Sequence, residues 1–304
     1  YLKYLNIFMK IFDCFMYFDE EIILDLRLNV LNDFVDYFVI VESTFNHKGE
    51  KRALKFDKQK FKKFEHKIIY IVFDIEPEQI QEVINNDNET IKSIKYIKNA
   101  QFRENGQRNF IYKGLSNADQ DDIIMISDVD EIPKLNQIDF KSIKEKIILF
   151  KQDMFYYKFN LTIPKFKWTG TKVCKFKNLK SPQWLRNVKD RRYPFFRIDV
   201  FFSNTKYSSV KLIQDGGWHF SNIKSAKEIE HKLRSYLHHR EFDLASLSVK
   251  EIEDIIKNKQ AIYDLSVDKT VNKVGTGKKL EKFAINKLPT YIQNNIEIFK
   301  GWID

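Results

Sequence analysis

The stretch DDIIMISDVDEIP, residues 121–133, decides the fold. Ile123, Ile124, Met125 and Ile126 form an apolar run flanked by aspartates, the pattern of a short strand buried on both faces, and Pro133 ends whatever follows it. Side chains alternate along an extended chain, so Asp128 and Asp130 share one side while Val129 takes the other. Two carboxylates therefore converge where the strand ends. In open α/β sheets that end is where ligands bind, and paired carboxylates there suit Mn²⁺ or Mg²⁺, hard ions that keep positions for phosphate oxygens. The plainer reading of an isolated Asp-X-Asp is a solvated acidic turn; a position directly behind a buried strand favours the metal. A calcium loop of the EF-hand type is excluded, because the sixth residue from Asp128 is Pro133 instead of Gly and the twelfth is Asp139 instead of Glu. A metal-dependent nucleic-acid-processing enzyme using Asp128, Asp130 and Glu131 stays open.

Upstream of this strand, apolar runs alternate with longer helix-like stretches. IFDCFMYF (residues 11–18), YFVIVE (37–42) and IIYIVFD (68–74) read as strands, EEIILDLRLNVLND (20–33) and residues 90–115 as helices. That alternation argues for an α/β sheet with parallel strands. Between them, KFDKQKFKKFEHK (55–67) spaces Phe56, Phe61 and Phe64 like one face of an amphipathic helix with lysines on its solvated side. After Phe150 the pattern changes to aromatic strands, QDMFYYKFNLT (152–162), TKVCKFK (171–177) and FRIDVFFS (196–203), and then to helices from Ser225 onward.

Composition narrows the class. A chain of 304 residues with 43% hydrophobic content can bury one sizeable core, so one domain is expected, without repeats or low-complexity linkers. The net charge of +10 comes from lysines spread along the chain, where a nucleic-acid binder would concentrate them in a stripe, so no specific nucleic acid is expected as partner. The excess would still help hold a diphosphate. Apolar runs are strand-sized, and Lys10 and Asp13 interrupt the aromatic N-terminal stretch, so no transmembrane segment is expected. We expect a soluble, cytoplasmic chain; because it begins at Tyr1, an anchor or targeting segment upstream stays open. Cys14 and Cys174 fit neither a disulfide framework nor a zinc spacing and read as structural thiols.

Six ordered blocks carry a resemblance: residues 11–43, RENGQRN (103–109), ISDVDEIP (126–133), DGGWHFS (215–221), HREF (239–242) and LPTYIQNN (288–295). Together they resemble glycosyltransferase family 17, whose best-known members add the bisecting N-acetylglucosamine to N-glycans. The resemblance implies a GT-A fold, with a mostly parallel central sheet, flanking helices and a smaller mixed β acceptor region. It also implies a UDP-sugar donor, most often UDP-N-acetylglucosamine, a divalent metal, a glycan acceptor and inversion at the anomeric carbon. Residues 1–135 would then be the nucleotide-sugar half, 136–245 the acceptor half and 246–304 a C-terminal helical segment. A non-catalytic sugar-binding module on the same fold is the third reading.

Cleaving the bond between sugar and UDP builds negative charge on the leaving diphosphate, so cations should face it. A metal at Asp128 and Asp130 supplies the first. Arg103 and Arg108 suit phosphate or a uracil face, although Glu104 and Arg108 are also spaced as a helix surface pair, and Gly106 between them suggests a close approach. Glu42 closes its strand at the same edge and could meet a ribose hydroxyl or a uracil N–H, or simply water. In DGGWHFS, Trp218 could carry an acceptor sugar face and His219 could touch metal or diphosphate, each with a core role as the alternative. His239 is a further donor candidate; with His231 and His238 it invites zinc, but no Cys and no HExxH spacing supports that. Tyr156, Tyr157, Trp168 and Trp184 line an acceptor site or fill the core. The acceptor hydroxyl must lose a proton, and a base free of the metal is needed: Asp215 first, with two glycines after it to admit a substrate, then Glu241. Glu131 points away from Asp130 and is the weaker candidate.

Overall fold

The structure is a computed structural model that describes residues 9–236, 239–244, 246–263 and 277–304. The N-terminal half follows the alternation. β1 (Ile11–Tyr17), α1 (Glu21–Leu31), β2 (Tyr37–Ser43), β3 (Ile68–Phe73), α2 (Glu89–Phe110) and β4 (Ile123–Asp128) succeed one another along the chain. The strands lie in the order β3-β2-β1-β4 and run parallel. Register aligns their C-terminal ends, with Tyr17 opposite Glu42 and Met16 opposite Asp128. Alternate residues enter two cores: Phe15 and Tyr17 pack with the leucines of α1, Phe12 and Cys14 with Val39, Ile124 and Ile126. Both cysteines are free and buried.

Six more strands and the remaining helices complete the described residues. β5 (Glu131–Pro133) follows the acidic turn, and β6 (Ile147–Tyr156) pairs antiparallel with β7 (Leu161–Lys175), which is antiparallel to β4. After α3 (Pro182–Asn187) and α4 (Ile198–Phe201), β8 (Val210–Ile213) and β9 (Gly217–Ser221) both join β6 in parallel, and β9 pairs antiparallel with β5. α5 (Ala226–Ser235), α6 (His239–Leu244) and α7 (Val249–Lys257) follow; capping boxes at Ser225/Glu228 and Ser248/Glu251 start the first and last of these. β10 (Glu281–Lys282) adds to β7, and α8 (Thr290–Asn294) and α9 (Ile296–Phe299) return to the core around α1, where Ile292 and Phe299 are buried. The mixed β region is thus no smaller appendage: it continues the same sheet and supplies most of its ten strands among the described residues.

Two sequence expectations fail locally, and a third holds with a different neighbour. Residues 55–67 form turns and one 3₁₀ turn (Lys62–Phe64), although Phe61 and Phe64 are buried as their spacing suggests. The reason is Glu42, whose carboxylate accepts hydrogen bonds from the backbone N–H groups of Lys55 (2.6 Å) and Phe56 (3.0 Å) and holds the chain extended there. FRIDVFFS is no strand: it carries the one-turn helix α4 inside an exposed loop. Gly106 does admit a close approach, but of Phe73, whose ring would sit 3.0 Å from an added Cβ.

Candidate active site

The acidic turn is held from beneath. Arg27 on α1 is fully buried; its Nη1 donates to the carbonyls of Asp128 (3.1 Å), Val129 (3.1 Å) and Glu131 (2.8 Å), and its Nε and Nη2 donate to the Asp13 carboxylate at 2.7 and 2.6 Å. Ser127 Oγ takes a further bond from Nη2. Every donor group of the guanidinium is engaged, so the turn that presents Asp128 and Asp130 is fixed by a charge that has no exit to water. Sequence reasoning passed over this pair. Its signal was Asp13, the one charge in an otherwise apolar strand, which burial allows only when a partner meets it.

Above the turn, Asp128 and Asp130 open on a pocket of about 260 Å³ at the C-terminal ends of β1, β2 and β4, closed on its far side by β9, α5, Tyr236 and Tyr263. Asp128 is 39% exposed and bridges two guanidiniums: Oδ1 accepts from Arg108 Nη2 (3.1 Å), Oδ2 from Arg186 Nη2 (2.9 Å). Burial opposes its charge, yet Arg186 and Arg108 hold the carboxyl well below the usual aspartate range. Because β5 pairs with β9, Glu131 lies opposite His219, and the His219 imidazole comes within 3.4 Å of Asp130. Burial alone would disfavour the imidazolium, but the Asp130 carboxylate raises the His219 pKa, and the imidazole in turn lowers that of Asp130. Lys232 also lines the pocket; burial would lower its pKa, but Glu20 and Asp130 raise it. The pocket thus pairs each acid with a cation while remaining open to solvent.

Arg186, Lys232 and His47 were not foreseen. Arg186 stands on α3, 58 residues from Asp128, and no spacing rule joins the two. His47 contacts Gln107 beside Arg108, with burial holding its pKa below the usual imidazole value.

Several expected ligand residues lie elsewhere. Glu42 is fully buried and its oxygens are taken by Arg52, Tyr70 and the backbone of residues 55 and 56, so it shapes the pocket wall without lining it. Arg103 is engaged by Glu76 and by the carbonyls of His47 and Lys48. His239 is buried against Tyr96, bonded to the Tyr236 carbonyl, outside the pocket lining. Glu131 is buried under Arg186, Trp168 and the Asp128 N–H, which removes it from any metal cluster with Asp128 and Asp130. Tyr156 and Tyr157 are core. His238 lies outside the described residues.

Asp215 and Trp218 face a second depression, of about 890 Å³. Strand alternation explains the tryptophan, since Trp218 must point opposite to His219, while Asp215 lies before β9 begins. The Asp215 carboxylate is 73% exposed and ion-paired with Lys134, and Trp218 donates its indole N–H to the Lys287 carbonyl. The two glycines admit neighbouring strands, not a substrate: a Cβ on Gly216 would meet Lys151 N at 2.7 Å, and one on Gly217, at φ +119°, the Ile132 carbonyl at 2.3 Å. Glu241, by contrast, sits close enough to raise the phenol pKa values of Tyr236 and Tyr263, both of which line the first pocket, although burial is the larger cause in each.

The pocket's donor set suits a hard divalent ion. Asp128 and Asp130 share one pocket, and each carboxylate oxygen keeps a lone pair beyond the bonds just named; His219, its proton held by Asp130, adds charge beside them. Among the described residues no three His, Cys, Asp or Glu side chains form a ready-made cluster, so an ion here would complete its shell from a bound phosphate. Two buried polar atoms without a protein partner, Arg108 Nε and His219 Nδ1, belong to this pocket's own side chains. No helix among the described residues is long and apolar enough to cross a membrane.

The family model of glycosyltransferase family 17 matches residues 3–303. Over 116 residues the chain is 33% identical to the human beta-1,4-mannosyl-glycoprotein 4-beta-N-acetylglucosaminyltransferase, and equally to the rat protein of that name. The matched segment is 36% of this chain and spans only 19% of either relative. A family model that covers nearly every residue, and an acidic pocket at the edge where such a sheet binds its ligands, lead to one statement: the chain belongs to glycosyltransferase family 17.

Proposed function

We propose that the protein is an inverting, metal-dependent glycosyltransferase of GT-A type that moves N-acetylglucosamine from its UDP donor to a glycan hydroxyl. One observation carries the reading: Asp128 and Asp130 emerge from the end of β4 into a pocket that also presents Arg108, Lys232 and His219, with Arg186 ion-paired to Asp128 from behind the lining. A diphosphate needs that combination of fixed cations and carboxylates able to share a divalent ion. When bound at Asp128 and Asp130, Mn²⁺ or Mg²⁺ would neutralise charge on the leaving UDP. Arg108 and Arg186 keep Asp128 ionised and oriented, His219 does the same for Asp130, and Lys232 adds a positive charge opposite them. The names of the mammalian relatives suggest the sugar and a mannosyl glycan acceptor.

In-line displacement requires a base on the acceptor side of the sugar, and the pocket favours Glu241 over Asp215 for that role. Glu241 lies outside the lining but within electrostatic reach of Tyr236 and Tyr263, which line the pocket, whereas Asp215 lines the separate depression.

The test is UDP release from a panel of UDP-sugars with Mn²⁺. UDP-N-acetylglucosamine should be the preferred donor, and Asp130→Asn should weaken Mn²⁺-dependent UDP binding at least ~100-fold, since loss of even an outer partner costs metal sites ~10–100-fold. Glu241→Gln should bind donor normally and transfer ~10²–10⁴-fold more slowly. Preference for another sugar, cleavage of nucleic acid without UDP release, or binding without turnover would each replace this reading. A slow Asp215→Asn beside an active Glu241→Gln would return the base to Asp215.

A further inference from the structure

Between α3 and β8, residues 189–206 fold into a loop whose apex is apolar and whose collar is cationic. Its foot is closed by backbone bonds from Lys189 N to Thr205 O (2.8 Å) and from Tyr193 N to Tyr207 O (3.0 Å). Inside that foot Tyr193 is 4% exposed, with the Arg191, Arg197 and Lys206 cations over its ring at 5.1, 5.6 and 5.8 Å. Beyond it the side chains point away from the protein: Phe195 is 74% exposed, Phe196 72%, Ile198 74%, Phe201 73% and Phe202 87%. Large apolar side chains left in water singly need no explanation, but five within eight residues on a closed loop mark a contact surface.

The charges say what the contact is. The loop carries Lys189, Arg191, Arg192, Arg197 and Lys206 against Asp190 and Asp199, and Asp199 is already neutralised by Arg197 and Lys206. Phenylalanines that can enter the acyl boundary, ringed by arginines and lysines that can stay among headgroups, match a bilayer interface. A protein partner would more often meet aromatic side chains with a mixed polar rim. We propose that this loop seats the protein on the surface of an anionic lipid bilayer, its apex phenylalanines inserted and its basic collar facing the headgroups. The docking is monotopic and separate from the acidic pocket. The loop begins two residues beyond α3, which carries Arg186, so a seated loop would hold the bilayer near the helix that grips Asp128.

Vesicle co-sedimentation of the full chain tests this. With phosphatidylcholine vesicles containing ~30% phosphatidylserine the protein should pellet, and with pure phosphatidylcholine it should pellet far less, the difference shrinking as salt rises. Replacing Phe195, Phe196, Phe201 and Phe202 with Ser should cut vesicle binding at least ~10-fold without moving the thermal melt, since these side chains are exposed. Arg191→Glu with Arg192→Glu should cut it comparably and remove the salt dependence. Binding left unchanged by both variants would overturn the proposal. So would a concentration-dependent oligomer that only the Phe→Ser variant dissolves, without vesicle binding, because the apex would then be an interface between copies.

Discussion

Two aspartate–arginine sites lie within a few residues of each other at the acidic turn, and they are built to opposite ends. Asp13 with Arg27 is sealed: both side chains are at 0% exposure, and the guanidinium spends its donors on the carboxylate, a hydroxyl and three turn carbonyls. Asp128 with Arg108 and Arg186 is open: the carboxylate is 39% exposed, lines a pocket and keeps its charge through two partners. Residue type does not separate scaffold from chemistry here. Completeness of the partner set does, because a closed network can only hold a shape, whereas an open one can accept another charged group.

The largest effect expected from this contrast is at the sealed site. Arg27→Leu would leave Asp13 charged in the core and three carbonyls of the turn without their donor, and removing one partner of a buried pair costs about 3–5 kcal/mol. Chemical denaturation should register that loss, or the variant should fail to accumulate folded. If Arg27→Leu unfolds like the parent and loses only donor binding, the site is less sealed than its geometry implies.

At the open site the expectation reverses. Arg108→Lys keeps the charge but not the fork that reaches Gln183 through Nη1 and both Glu104 and Asp128 through Nη2. Because the charge is kept, stability should fall by less than at Arg27, while the donor KM rises about tenfold, the worth of one charge-assisted hydrogen bond. A large loss of stability with unchanged KM would make Arg108 a scaffold residue like Arg27.

The same contrast explains what was legible beforehand. The parallel half-sheet could be read because its strands are runs such as FVIV and IIMI, whose burial on both faces leaves no other use for them. The acidic pair could be read because alternation fixes which side chains share a face. What could not be read depends on partners distant in sequence. Glu42 was taken for a ligand because nothing nearby announced that the backbone of residues 55 and 56 would claim it. The sequence points to Asp215 as the base because two glycines follow it, but those glycines admit neighbouring backbone and Asp215 lines the second depression. FRIDVFFS was read as a strand from its aromatic content, which burial would have required and which the exposed loop does not.

The smallest effect concerns the His219–Asp130 pair, and its sign can be worked out. Despite burial, the neighbouring carboxylate raises His219 above the usual imidazole value of 6.5, so the folded state holds that proton more tightly than the unfolded chain. Its contribution is full below 6.5 and disappears as pH rises through the raised folded value. Asp130 behaves oppositely: its pKa is depressed, so its share is present above the usual aspartate value of 3.8 and is lost as pH falls through the lower folded one. Between these limits both members are charged, and the two shifts describe one coupled interaction that must not be counted twice. His219→Gln abolishes the titration while keeping a polar side chain. Denaturation of parent and variant across the range from mildly acidic to mildly alkaline should show the parent's advantage, about 1 kcal/mol or less for a single partly screened pair, shrinking as pH rises. On the proposed function donor binding should weaken over the same interval, because the imidazolium near Asp130 would be one of the cations facing a diphosphate. An advantage that holds constant with pH would mean that His219 acts through packing against Trp168, whose ring centre lies 5.5 Å away, and that the open site draws its positive charge from Arg108, Arg186 and Lys232.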